Sequence, residues 1–489
     1  MVKKSENRDI LAVVLPVLTL VGFMTLVLGF VFSRGLCCAD DANLALRAKN
    51  LANGYLEDMI FLFDPHLAVV LPAALMTRLM GNHYWVPGLT VVIVNSGLLI
   101  ILGLLLPRAK TRWGLTAAAG SFLLLNYVLM SRHFEHWFGL FGEVPAALLI
   151  LLAVVHALRA DHWALYSLVG LIFSLAFLTK ILSLLTFGVF FLVLIAFYLL
   201  ERLGLRRREK PLRLGQLGAV ILGFLSPFVV FELIRILILG VEGIVRVYEH
   251  DIPFILERTV EEYQAMNPGA EFQERLRLFR EQFGVPYLSI YLVAAAAGVL
   301  TRRNPGLFDL WIVILAVFVV HSAWWFFFSV GWTRHMIIPL TLLLFLAVLP
   351  LLEARSRASW AVSVLMLAVW AGAAAPRVIH PIQAVEGGYF RPTERTRDLM
   401  TAAEALSQRK KDIPVVSQWV ATGSDLAYLA EGHVEMRYTL YGGLKPYQPP
   451  FWLAVNKRWL NHHDQGFQRL LQGCSGLEVY GSYLVGRCE

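Results

Sequence analysis

Charge is what this chain has least of. Only 16% of its 489 residues are Asp, Glu, Lys or Arg, against 57% hydrophobic, whereas an ordinary soluble domain is about a quarter charged. That deficit excludes a chain solvated on all sides and makes an integral membrane protein the first reading. Cysteine is scarce too, and Cys37, Cys38, Cys474 and Cys488 match no metal-ligand spacing. The first apolar run, Ile10–Phe32, lacks a small-residue cleavage site after a short apolar core, so it reads as a retained span. Internal repeats and low-complexity tracts are also missing. The net charge of +8 raises the question of nucleic acid, but the basic residues sit in short loops between apolar runs. Positive-inside topology accounts for that distribution without a polyanion, and no nucleic-acid partner is expected.

What is present is a series of apolar runs. After Ile10–Phe32 come Tyr84–Leu106, Gly114–Met130 and Pro145–Leu158. The run Ala164–Leu200 is too long for one span, is interrupted by Lys180 and makes two. Gly215–Leu239, Tyr287–Leu300, Leu307–Val330, Met336–Leu352 and Trp360–Ala375 follow. The stretch "HLAVVLPAALMTRLMG" is apolar but short and is read as a helix lying in the outer interface. Counted so, "PRAKTRW", "ERLGLRRREKPLR" and "EARSR" all fall on the amino-terminal side. The expectation is a polytopic α-helical membrane protein of about 11 spans, N-in and C-out.

This divides the chain into a membrane domain, 1–376, with outer loops 33–83 and 241–286, and a small outer α/β domain, 377–489. Within the latter, "TERTRDLMTAAEALSQ" and "WLNHHDQGFQRLLQG" read as helices and "IPVVSQWV" as a strand. "LEVYGSYLV" reads as a hairpin turning at Gly481-Ser482. A two-residue turn there puts Cys474 opposite Glu489 rather than Cys488, so a disulfide needs a register adjustment; the sequence leaves that pairing open. The aromatic segment "YQPPFWLAVNKRW" reads as core or as a sugar-binding surface.

Ionisable residues near membrane depth cost about 2.5–3.5 kcal/mol on insertion scales and mark either function or a pairing partner. They gather at the outer ends of the spans: Asp40 and Asp41, His66, Arg132 and Glu143, Lys180, then Arg334 and His335. Plainer readings exist. Asp41 is a suitable N-cap for a helix Ala42–Asn53, Glu143 a first-turn acid favoured by the helix dipole, Arg334-His335 interfacial anchors, and Lys180 a turn residue. Together the set suits one reaction. A carboxylate base takes a proton from an attacking hydroxyl or amine, and fixed cations hold a phosphate leaving group. Adjacent aspartates can also hold a hard divalent cation, with the ligand count left open.

These residues carry a resemblance. "DDANLALRAKNLANG" resembles the Asp-Asp/Glu motif of the first outer loop of GT-C fold glycosyltransferases, the superfamily of protein O-mannosyltransferases and the lipid A aminoarabinose transferase. "FDPHLAVVLPAALMTRLMG" is similar to the interfacial helix that follows it, and "GEVPAALLILLA" to the second acidic motif before a proline. "GLIFSLAFLTKILSLL" resembles the Thr-Lys turn and "GWTRHMIIPLTLLL" the Arg-aromatic/His turn. The resemblance implies an inverting glycosyltransferase of the bacterial inner membrane. It would use a polyprenyl-phosphate sugar donor and a lipid, glycan or protein acceptor, with its site and C-terminal domain on the periplasmic side. Asp40 would be the general base, Asp41 and Glu143 further site acids, and Lys180, Arg334, His335 and Arg132 the phosphate contacts. The Lys-Pro-Pro segment usual before the interfacial helix is "FDPH" here, and His66 stands in its place. The alternative from another class is a polytopic transporter of a polar or lipid-linked substrate; that reading expects midplane charges and repeat symmetry, which the sequence does not show.

Overall fold

The structure, a computed structural model, describes residues 39–56, 65–105, 140–206, 211–264, 268–282, 297–299, 302, 305–329, 333–353, 368, 372, 394–409, 415–417, 423–431, 436–438, 450–457 and 472–488. The runs Ile10–Phe32 and Gly114–Met130, nearly all of Tyr287–Leu300 and Trp360–Ala375, the segment 458–471, and Arg132 lie outside the described residues.

Two helices, Glu143–Arg159 and Ile337–Glu353, are apolar on every face and form the centre of the bundle. Ala146–Leu148, Ile150 and Leu151 on the first are fully buried, as are Leu340 and Leu342–Leu344 on the second. A helix without a polar face has to be enclosed. Around them stand Val86–Leu105, Trp163–Phe177, Ser183–Arg202, Leu214–Gln264 and Pro305–Phe327. These outer helices leave large apolar side chains uncovered, among them Leu192, Leu222, Leu237 and Val319, the surface a lipid-facing helix presents. Ser183–Arg202, Leu214–Val245 and Pro305–Phe327 are long and apolar enough to cross a membrane.

Leu214–Gln264 is one helix broken at Gly240, whose φ of 71° lies in the left-handed region. The apolar half ends there and the charged half, carrying "ERTVEEYQ", begins. Where this helix crosses Trp163–Phe177, Gly170 lies against the Val220 carbonyl and Gly223 against that of Ser167. A Cβ on either would run into backbone, so the close approach is possible only for glycine.

The C-terminal domain is a five-stranded sheet in the order β2-β1-β3-β5-β4. Its strands are β1 Val415–Ser417, β2 Met436–Tyr438, β3 Phe451–Asn456, β4 Cys474–Tyr480 and β5 Tyr483–Cys488. β1 runs parallel to β2 and β3, while β3, β5 and β4 are antiparallel. Helix Glu394–Arg409 covers the sheet with the stripe Leu399, Ala402, Ala403 and Leu406, buried at helical spacing. Phe451 and Trp452 of "YQPPFWLAVNKRW" are buried in the central strand, which makes them core. The hairpin turns at Gly481-Ser482 as expected, and a bulge between Ser475 and Glu478 shifts the register so that Cys474 faces Cys488. Gly476, at φ 65°, supplies the left-handed residue such a bulge needs. The disulfide Cys474–Cys488 closes across it.

Candidate active site

The helix bearing the paired aspartates runs Ala39–Ala52. This corrects the expectation that Asp41 caps a helix starting at Ala42: it lies inside the first turn. Its carboxylate is turned to another use. Asp41 Oδ1 accepts the backbone N–H of Leu140 at 2.6 Å, and the residue is 1% exposed. Leu140 opens the turn that ends at Glu143, the first residue of the central Glu143–Arg159 helix. Asp41 therefore ties the Ala39–Ala52 helix to the turn of Glu143. Asp40 occupies the same first turn of the Ala39–Ala52 helix.

The neighbouring helix, Leu67–Met80, begins after His66, which takes a left-handed φ of 51° and makes no side-chain cap. A helix start leaves backbone donors without intrahelical partners. Here the turn Leu178-Thr179-Lys180 supplies them: Leu178 O accepts Leu67 N–H at 2.9 Å, and Thr179 Oγ1 accepts Ala68 N–H at 3.2 Å. Thr179 in turn donates its hydroxyl to Leu175 O at 2.6 Å. Since the cap comes from another part of the chain, the imidazole of His66 reaches towards Lys180, with Nε2 at 3.5 Å from Nζ.

Lys180 is the hub. Its ammonium lies 3.0 Å from Glu143 Oε1 and donates to Phe141 O at 3.3 Å. The Glu143 side chain is fully buried and that of Lys180 is 10% exposed, so the pair is held with little screening by water. Gly142, at φ 85°, is where the three segments meet. A Cβ there would sit 2.8 Å from Thr179 O and 3.2 Å from His66 Cδ2. The short distances explain glycine at this position in "GEVP".

The turn Thr333–Met336 completes the cluster. His335 Nδ1 is 3.1 Å from Ser329 Oγ, and its ring is 5.7 Å from Trp324. Burial first, then the positive charges of Lys180 and Arg334, hold the His335 imidazole well below its usual range, at about 3. Arg334 is half-buried beside it. The structure thus brings together His66, Glu143, Lys180, Arg334 and His335, with Asp41 bonded to the same turn as Glu143. Among the described residues no group of three or more His, Cys, Asp or Glu stands where it could hold a metal ion.

Two features escaped the sequence. His321 and Thr186, both fully buried, pair at 2.8 Å between two helices below the cluster. Lys49, on the aspartate helix, is buried against the C-terminal domain. A charged residue inside an otherwise small-residue stripe is the available signal for Lys49; nothing in the sequence pairs residues so distant.

Comparison with protein-family models finds no match, and comparison with curated proteins finds none either. Solved structures do match. ArnT from Cupriavidus metallidurans bound to undecaprenyl phosphate superposes with a TM-score of 0.60 at 13% identity, over 96% of this chain and 97% of that one. The chain has the fold of ArnT. The apo state of the same ArnT gives a TM-score of 0.55 at 13% identity, over 100% of this chain and 98% of that one. With ArnT the likeness runs through the membrane helices and the C-terminal domain alike, because both chains are covered almost whole. The motifs that carried the sequence resemblance and the overall fold thus point to the same architecture.

Proposed function

We propose that this protein is a glycosyltransferase that moves a sugar from a polyprenyl-phosphate-linked donor to an acceptor at the outer face of the membrane, with inversion. The observation that carries the reading is the buried Glu143–Lys180 pair with His66, Arg334 and His335 around it, bonded through the Leu140–Glu143 turn to the Asp40-Asp41 helix, in a chain with the ArnT fold. The solved ArnT structure contains undecaprenyl phosphate, which supports a donor of that class here.

In the proposed reaction the Asp40 carboxylate takes the proton of the acceptor hydroxyl or amine. The acceptor atom bonds to the sugar's anomeric carbon from the face opposite the phosphate. The carbon–oxygen bond to phosphate breaks, and its electron pair leaves on the polyprenyl phosphate. Lys180 and Arg334 stabilise that growing charge, as fixed cations in a poorly solvated site do most effectively. Asp41 is the less suitable base, since its carboxylate already accepts from Leu140. The membrane domain 1–376, the 11 spans and the placement of the C-terminal domain outside belong to the same reading. Sealed vesicles with the outer face outward, given acceptor and a polyprenyl-phosphate sugar together from outside, separate it from the transporter alternative: sugar appearing in covalent linkage to the acceptor supports the transferase, and uptake of unmodified substrate without transfer sinks it.

A further inference from the structure

The Ala39–Ala52 helix is enclosed on two sides. One side packs on Leu67–Met80, and the other on Gly423–Leu429 of the C-terminal domain. The second contact is unusually polar and specific for a join between distant parts of a chain. Lys49, 3% exposed, donates through Nζ to Ala427 O at 2.6 Å and also to Ala430 O. Those carbonyls sit at the end of the Gly423–Leu429 helix, where the dipole favours a cation. Asn82 Nδ2 converges on the same end, donating to Tyr428 O at 2.8 Å, Leu429 O at 2.9 Å and Ala430 O at 3.2 Å. At the start of that helix the Ser424 hydroxyl donates to Asn43 Oδ1 at 2.5 Å. Between these bonds Tyr428, fully buried, donates its hydroxyl to His83 O at 3.2 Å. A buried ammonium is retained only where acceptors surround it, so the seat fixes the helix in rotation as well as in place.

We propose that the Gly423–Leu429 helix is a clamp on the helix that carries Asp40 and Asp41, and that Lys49 is the positioning residue of this clamp. Lys49 stands eight residues, about 12 Å along the helix, from Asp41. Its bonds to Ala427 O and Ala430 O lead into the C-terminal domain. Its effect runs through the helix: Asn43 and Lys49 are held by the C-terminal domain, Asp41 is held by Leu140, and Asp40, the residue before Asp41, takes its place from the same anchored helix. This rests on the glycosyltransferase reading for its consequence in turnover, though not for the clamp itself.

The experiment uses the purified full-length protein and two readouts. Amide exchange over residues 39–52 and 143–159 reports the clamp directly. In Lys49→Met, exchange over 39–52 should rise at least about tenfold while 143–159 stays as in the wild type. Turnover of a polyprenyl-phosphate sugar should fall about 100-fold in kcat, the loss a small misplacement of a catalytic group brings. KM for the donor should hold, because Lys180 and Arg334 sit on other elements. Linking positions 43 and 424 through Asn43→Cys and Ser424→Cys, in a background with Cys37→Ser and Cys38→Ser, should restore turnover to the Lys49→Met protein. If Lys49→Met fails to fold, Asn82→Ala removes, from outside the helix, the donor to Tyr428 O, Leu429 O and Ala430 O, the last of them shared with Lys49, and should raise the same exchange. Unchanged exchange over 39–52 in the folded variants overturns the clamp whatever the activity. A crosslink that abolishes turnover overturns it too, because the domain would then have to leave the helix in each cycle. Wild-type protein that shows the exchange pattern and transfers no sugar refutes the glycosyltransferase reading alone.

Discussion

Lys180→Met tests the buried pair at the centre of the cluster. The substitution keeps most of the length of the side chain and removes its charge. Glu143 then stays fully buried without the ammonium 3.0 Å away, and Phe141 O loses its donor. Removing one partner of a buried ion pair costs about 3–5 kcal/mol, most of it the desolvated charge left behind. The double variant Glu143→Leu/Lys180→Met leaves no such charge, so about 2 kcal/mol or more of that loss should return, since apolar replacement of a buried pair is often neutral. The assay is thermal unfolding of the detergent-purified protein across wild type, both single variants and the double. Stability and activity should part company: the double variant regains stability and transfers no sugar. A Lys180→Met protein within about 1 kcal/mol of wild type, or a double variant no more stable than the singles, would show that Glu143 and Lys180 are not coupled as the geometry has them.

Other outcomes follow from particular contacts. Gly142→Ala puts a Cβ 2.8 Å from Thr179 O on a backbone at φ 85°; it should cost about 1–2 kcal/mol for the backbone alone and lower turnover, measured by thermal unfolding and sugar transfer. Thr179→Val removes the acceptor for Ala68 N–H and should destabilise by about 1–3 kcal/mol, with amide exchange rising first at the start of the Leu67–Met80 helix. Cys474→Ser opens a loop of sequence separation 14 and should cost the C-terminal domain about 3 kcal/mol, visible as earlier proteolysis of that domain. Burial first, then the charges of Lys180 and Arg334, push the His335 imidazole, in the turn Thr333–Met336, down to about 3 from 6.5. The unfolded chain therefore binds a proton that the folded one refuses as pH falls from 6.5, so stability from this group is full above 6.5 and declines towards 3. His335→Gln should flatten that part of the stability–pH curve.

How far the sequence speaks depends on the range of the interaction. The turn at Lys180 was legible because one charge interrupts a long uncharged run, and Trp163–Phe177 and Ser183–Arg202 end on either side of it. The charged stretches of loop 241–286, "ERTVEEYQ" and "FQERLRLFREQFG", have amphipathic helix character, and the structure adds that the first continues the preceding apolar helix across Gly240. The hairpin was legible from Gly481-Ser482, while its bulge at Gly476 was not, because one extra residue leaves no mark on a two-residue alternation. Asp41 read as a cap, since a cap is local; its bond to Leu140 spans 99 positions. The seat of Lys49 on Ala427 lies 378 positions away, beyond any periodicity. β3 was open for a different reason: aromatic residues form core more often than a sugar surface but suit both, and only the sheet order places Phe451–Asn456 at the centre.

The most direct measurement is release of polyprenyl phosphate from a polyprenyl-phosphate sugar by the purified protein with acceptor present, comparing wild type with Asp40→Asn. The account expects stoichiometric release and glycosylated acceptor from the wild type, and a loss of at least about 100-fold in the variant, the scale of general-base catalysis. Equal turnover by the two proteins would contradict it.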